Sequence, residues 1–248
     1  MATNNATNTS NPITVAQGGT GAATLTGILT GNGTSAITAN AVSQYNLVVA
    51  GASNAASGIA PSATSGVPLI SKGSSANPAY GTGFTINSSG YTNNANQPCF
   101  SAYLHTSVTN VTGDGTAYQI IFDTVLFDQA SSYNSSTGVF TAPVAGIYAF
   151  NVAGLATGVL GTHNTLQFQI IPSSPAVNLQ GSYINPYTVA ANGGYCGVNT
   201  PFIVQLAASA TVHFIFQVSG GTKVVGLDGG NTGSSNQIFT WCAGYLIC

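Results

Sequence analysis

The chain has almost no charge. Charged residues make up 2% of its 248 positions: four Asp and two Lys, with no Glu and no Arg. An ordinary globular protein carries roughly 25%. Two lysines and a net charge of −2 cannot build a phosphate-binding surface, which excludes nucleic acid as a partner. Without Glu, the carboxylate pairs of acid–base catalysis and glycoside hydrolysis are poorly supplied. No apolar run approaches the roughly 18 residues of a membrane span, so no membrane insertion is expected. Met1-Ala2-Thr3-Asn4-Asn5 is neither basic nor apolar, so no secretory signal peptide is expected.

Uncharged polar residues fill the gap. Ser, Thr, Asn, Gln and 31 Gly supply the polarity, while hydrophobic residues still reach 44%, too many for charge-rich disorder. Amides and hydroxyls cost less to desolvate than ions. A surface built from them tolerates close packing of identical chains, and a low net charge favours association. It also offers trypsin-like proteases little to cut. The composition therefore suits an assembly protein of a virion or an extracellular surface.

Aromatic residues divide the chain. Residues 1–97 hold Tyr45, Tyr80, Phe84 and Tyr91, and residues 98–248 hold the other nineteen. The first part is rich in Gly, Ala, Ser, Thr and Asn and cannot bury much of a core alone. The second, about 150 residues, is long enough to bury roughly 70% of its unfolded surface and is expected to be an independent head. Within the first part, Leu29-Thr30-Gly31-Asn32-Gly33-Thr34-Ser35-Ala36 aligns with Leu69-Ile70-Ser71-Lys72-Gly73-Ser74-Ser75-Ala76 at an offset of 40. A Gly after Asn or Lys in such a run suggests a turn between short strands. Several copies winding together would give an extended trimeric shaft with a thin shared core; a flexible linker is the plainer alternative.

The second part alternates with period two. Tyr148, Phe150 and Val152 share one strand face, as do Leu166, Phe168 and Ile170; Phe202, Val204 and Leu206; Val212, Phe214, Phe216 and Val218; and Phe239, Trp241, Ala243, Tyr245 and Ile247. This pattern predicts half-buried strands. Turn residues separate them at Ser131–Asn134, Pro172–Pro175, Asn192–Gly194, Ser219–Gly221 and Asp228–Asn231. No stretch shows a capped helical period. Short strands at this spacing mean an all-β antiparallel sandwich or jelly roll.

Two resemblances sharpen this reading. Ile13-Thr14-Val15-Ala16-Gln17-Gly18-Gly19-Thr20-Gly21-Ala22 resembles a repeat of bacteriophage tail fibres and related virion fibres. Gly66–Gly73, followed by Asn77–Thr82, resembles a second such element. In the head, Phe127, Tyr133, Thr137-Gly138-Val139-Phe140, Pro143 and Gly146-Ile147-Tyr148-Ala149-Phe150 are similar to the signature of the complement component one, q subcomponent head, a tumour-necrosis-factor-like jelly roll. Phe100–Leu104 resembles that family's first strand and Phe239–Leu246 its closing strand. The resemblance implies a homotrimer of jelly rolls used for recognition rather than catalysis. The family's collagen stalk has no counterpart, since no Gly-X-Y run occurs; a fibre-like shaft takes its place.

The motif residues read as structural. Gly138 and Gly146 suit tight turns or close approaches, and Pro143 a corner before a strand. Phe140 belongs to the same run, and Tyr148 and Phe150 would fill the sandwich or the trimer axis. Cys242 and Cys248 share a strand parity and cannot easily bridge each other. If the first and last strands pair as in the family, Cys99 lies near Cys248 and Cys196 reaches Cys242, giving two disulfides; unlinked cysteines are the other reading. His105, His163 and His213 form no metal pattern, and His213, on a strand, would be structural or face a subunit interface. Asp114, Asp123, Asp128 and Asp228 are scattered, so calcium would require a site shared across a trimer axis. Gly19-Thr20-Gly21 and Gly113-Asp114-Gly115 lack the third glycine of a dinucleotide loop. No catalytic residue, metal site or cofactor is expected.

The sequence reading is thus a non-enzymatic virion or tail fibre. Residues 1–97 attach it to other virion or filament proteins, and a trimeric head, 98–248, binds a host-surface glycan or protein. A polymerising subunit of a cell-surface appendage is the alternative.

Overall fold

The structure, a computed structural model, describes residues 19–20, 24–51, 55–181, 184–191, 193–230 and 237–248. Of the tail-fibre-like segment 13–22, only Gly19 and Thr20 are among them, and Asn192 and Asn231 of two expected turns lie outside. The chain divides into two compact units between Asn94 and Ala95.

The first unit contains a succession of antiparallel hairpins: β1 (Ile28–Thr30) with β2 (Thr38–Asn40), β3 (Leu47–Ala50) with β4 (Ala56–Ile59), β5 (Leu69–Ile70) with β6 (Ala79–Tyr80), and β7 (Phe84–Ile86) with β8 (Thr92–Asn94). Both aligned repeat segments contribute a short strand and then a turn. Gly33 and Gly73 take φ of +61° and +86° in those turns, a conformation that side-chain-bearing residues resist. Among the described residues of this unit none is buried. Leu29, Leu47, Val48, Leu69, Ile70, Phe84 and Ile86 all remain exposed. Hairpins this short and bare are marginal on their own.

The second unit is a two-sheet antiparallel sandwich. One sheet runs in the order β10 (Val108–Thr112), β20 (Val225–Asp228), β15 (Gly146–Thr157), β21 (Trp241–Leu246), β9 (Cys99–Tyr103), β12 (Thr124–Asp128), with β18 (Cys196–Leu206) along the other edge of β15. The other runs β13 (Tyr133–Asn134), β14 (Val139–Thr141), β19 (Thr211–Ser219), β16 (Thr165–Pro172), β17 (Leu179–Gln180), with β11 (Ala117–Gln119) on β19. First and last strands pair, and β15 is long enough to carry β21 and β20 in succession on one edge.

The alternating sets explain why the layers close. Tyr148, Phe150, Leu166, Phe168, Ile170, Phe202, Val204, Leu206, Val212, Phe214, Phe216 and Val218 are all buried between the sheets. Phe150 is a hub: its ring packs edge-on to Phe140 at 5.1 Å and to Phe214 at 5.9 Å. Gly244 faces this cluster, where a Cβ would sit 2.6 Å from both the Phe100 and Phe150 rings.

Two details depart from the sequence reading. The Phe239–Ile247 alternating set faces away from the core, and the buried residues of the last strand are Cys242 and Gly244. One short helix also exists, α1 (Pro186–Ala190). Its signals are local: the Asn185 side chain accepts from the Tyr187 amide at 3.0 Å, and Pro186 occupies the first turn, where its missing N–H is harmless.

Candidate functional site

The motif residues sit in the core and at its corners. Gly138 closes the β13–β14 turn at φ +69°, and a Cβ there would lie 2.7 Å from the Ile120 carbonyl. Gly146 opens β15, where a Cβ would meet Leu246 and the Cys248 carbonyl. Pro143 stands in the exposed bend before that strand. Phe140 and Phe150 are buried, and the Tyr148 hydroxyl, inside the same core, donates to Val144 O at 2.8 Å. Tyr148 and Phe150 thus fill the sandwich rather than an outer face.

All four cysteines are free thiols here, the second of the two readings the sequence allows. In the β9–β21 ladder Cys99 is opposite Tyr245, while Cys248 lies beyond the strand with its carbonyl on the Ile147 amide at 2.7 Å. Cys196 is opposite Ala156 and Cys242 opposite Val152, on opposite edges of β15. That offset amounts to about 10 Å across the sheet and about 13 Å along it, against the roughly 7 Å limit for Cα atoms of a disulfide. Burial pushes both the Cys242 and Cys196 thiols up, away from thiolate chemistry.

The carboxylates and the buried imidazole are taken up by local hydrogen bonds. Asp128 accepts from the Ser132 and Tyr133 amides, Asp123 from the His105 amide, and Asp228 from the Ser107 hydroxyl. Hydrogen bonds from Thr116 lower the pKa of Asp114. His163 is buried; its Nδ1 accepts from the Leu160 amide, leaving Nε2 to donate to Thr222 O at 3.1 Å. His213 pairs across strands with Val139 and Ile171 in the second sheet. Among the described residues no three of His, Cys, Asp and Glu come together as a metal site.

What the fold does assemble is a surface. Residues directly opposite each other in an antiparallel ladder share a face. On the outer side of the first sheet three such rows lie side by side. They read Ile203–Ala149–Tyr245–Cys99, then Pro201–Asn151–Ala243–Ser101–Phe127, then Asn199–Ala153–Trp241–Tyr103–Thr124. None of these residues is charged. Ile203 is 66% exposed, Tyr245 53% and Phe127 53%, around a low centre of Ala149, Ala153, Ala243 and Ser101. A groove of about 320 Å³ continues the face past Leu155, Gly197, Asn199 and Phe239. At one position the chemistry is incomplete: the Asn151 side-chain oxygen is buried and has no hydrogen-bond partner.

A second exposed feature lies at one end of the sandwich. The Val159 amide donates to Gly194 O, and the Gly194 amide to Val189 O, which gathers the β15–β16 connection, α1 and the segment before β18. Tyr187 there is 71% exposed and Tyr195 60%. The Tyr187 ring rests on Gly161, where a Cβ would be 3.7 Å from it, and Asn185 fixes its backbone. In the first sheet β9 begins at Cys99, and the ladders place Gly197 and Leu155 at the far end from it.

Comparison with known proteins gives a family match over part of the chain: residues 99–195 match the C1q domain. No curated protein sequence matches. Among solved structures, the globular domain of zebrafish complement 1qA protein aligns at 17% identity, covering 61% of this chain and 98% of that one, with a TM-score of 0.38. Murine APRIL at pH 5.0 aligns at 8% identity over 61% and 99%, TM-score 0.41, and at pH 8.0 at 7% identity with the same coverage and score. Residues 99–195 are thus similar to the C1q domain, and the two antiparallel sheets are those of a jelly roll. Such domains are typically extracellular, non-enzymatic binding domains and commonly form homotrimers. No helix among the described residues is long and apolar enough to cross a membrane.

Proposed function

We propose that the chain is a non-enzymatic fibre protein of a virion or phage tail, whose head forms a homotrimer through the outer face of the first sheet and binds a host-surface ligand. The observation that carries this reading is that face: contiguous, uncharged and largely apolar, with Ile203, Tyr245 and Phe127 standing proud of it. Exposed apolar area of this kind is the mark of an interaction site. A net charge of −2 per chain opposes the approach of further copies only weakly.

The first unit supplies the attachment segment and shaft. Its hairpins expose leucine, isoleucine and phenylalanine side chains and bury none, so three chains winding together would share the thin core that one lacks. The tail-fibre-like repeats of the sequence agree with that role and with partners among other virion proteins.

The ligand end would be the loop cluster with Tyr187 and Tyr195. Both rings are large and exposed, Tyr187 in the first turn of α1 and Tyr195 in the segment before β18. Tyrosine presents an apolar ring with a polar tip, a chemistry suited to a glycan or a protein surface and independent of charge. A trimer repeats the site three times, so weak single contacts would sum through avidity.

The test is binding of the full chain to an array of neutral and sialylated oligosaccharides and bacterial lipopolysaccharides, with negative-stain imaging of the same sample. The expected result is discrete knobbed particles that bind at least one array member, with Y187A and Y195A each losing at least tenfold and keeping the native circular dichroism. Long regular filaments, or binding indifferent to both substitutions, would overturn it.

A further inference from the structure

We infer that Asn151 is the polar lock of self-association: its side-chain amide hydrogen-bonds to Asn151 of the neighbouring copies. The inference rests on the trimer reading above and adds the group that sets its geometry.

Asn151 lies in the middle of β15, itself flanked by paired strands on both edges, so the residue is central to the outer face. Its cross-strand neighbours are Pro201 and Ala243, and the outward neighbours on its own strand are Ala149 and Ala153. None of the four side chains can donate or accept a hydrogen bond. The backbone groups around it are committed to the ladders. The Oδ1 atom is accordingly buried with no partner, a state that natural proteins rarely leave unresolved. An amide kept in an alanine-lined depression, where an apolar residue would pack at no such cost, implies that a donor arrives from outside.

A second copy of this chain fits better than any other occupant. The surrounding rows are uncharged and largely apolar, as a face buried against its own kind should be. An amide carries both a donor and an acceptor. Three copies around a closed axis therefore satisfy one another, each Nδ2 donating to the next Oδ1, after a turn of the amide about χ2 that costs little. A single amide in an apolar interface favours the one arrangement that pairs it over slipped or differently numbered assemblies.

The test uses the full chain, with oligomer mass and side-chain amide exchange as readouts. Wild type is expected to be trimeric, and the Asn151 amide protons to exchange at least tenfold more slowly than those of exposed Asn199. N151D is expected to weaken association about 100-fold or more near pH 7, because it buries carboxylates with no counter-charge. Association should return when the pH falls below the carboxylate range. N151L is expected to associate but to give dimers and larger species beside trimers. A trimeric wild type with fast-exchanging Asn151 protons, or an N151D trimer of unchanged stability, would overturn the inference and leave the trimer reading standing. A monomeric wild type would overturn both. Circular dichroism of each variant separates dissociation from unfolding.

Discussion

Tyr245, not Cys248, stands opposite Cys99 in the β9–β21 ladder. Family analogy placed the two ends of the head side by side, and the strands do pair. A register three residues away from the expected one leaves both sulfurs without a bridging partner. Alkylation in denaturant without reductant is therefore expected to add four groups per chain. In the native state Cys242, buried with its thiol pushed up, should stay unmodified. An intact mass showing two unreactive cysteines in denaturant would contradict this.

Gly244 works by having no side chain. A Cβ there would lie 2.6 Å from rings of Phe100 and Phe150 that are themselves wedged in the core. G244A is expected to lower stability by about 1–3 kcal/mol through overpacking. G197A is the control: its Cβ would point into open space, and its effect should stay within about 0.5 kcal/mol. Urea unfolding of both variants checks the contrast.

Burial raises the Tyr133 hydroxyl far above its ordinary value of 10. The unfolded chain ionises near that value while the folded one does not. The stability linked to this group is thus present below about pH 10 and lost as the pH climbs beyond it. Y133F should lose less stability than wild type between pH 9 and 11. At pH 7 it should be weaker by about 1–3 kcal/mol, because the Phe122 amide loses its acceptor at 3.1 Å. Equal alkaline slopes would contradict the assignment.

The sandwich was legible because its period-two sets are consecutive and aromatic, and each buries itself against the other sheet. The last strand shows the limit of that logic. Phe239, Trp241, Ala243, Tyr245 and Ile247 are as apolar as a core face, yet they point outward; the inward residues are Thr240, Cys242 and Gly244. Periodicity says which residues share a face but not which face is inside. The same parity hid Asn151, which alternates with the buried Phe150 and Val152 and looks unremarkable until the neighbouring strands surround it. The helix at Pro186 was missed because it spans barely more than a turn, and its Asn-Pro signal carries no apolar period. Tyr187 and Tyr195 had no signal beyond being aromatic, since their exposure depends on loops brought together from distant parts of the chain.

The outer face of the first sheet is the proposed meeting place of the copies of this chain. Mass photometry of the full chain beside I203D tests it most directly. Ile203 is exposed and points away from the core, so the substitution spares the fold and places a charge on the face. Wild type is expected as particles of three times 24.8 kDa and I203D as single chains with native circular dichroism. A monomeric wild type, or an I203D trimer as stable as wild type, would contradict it.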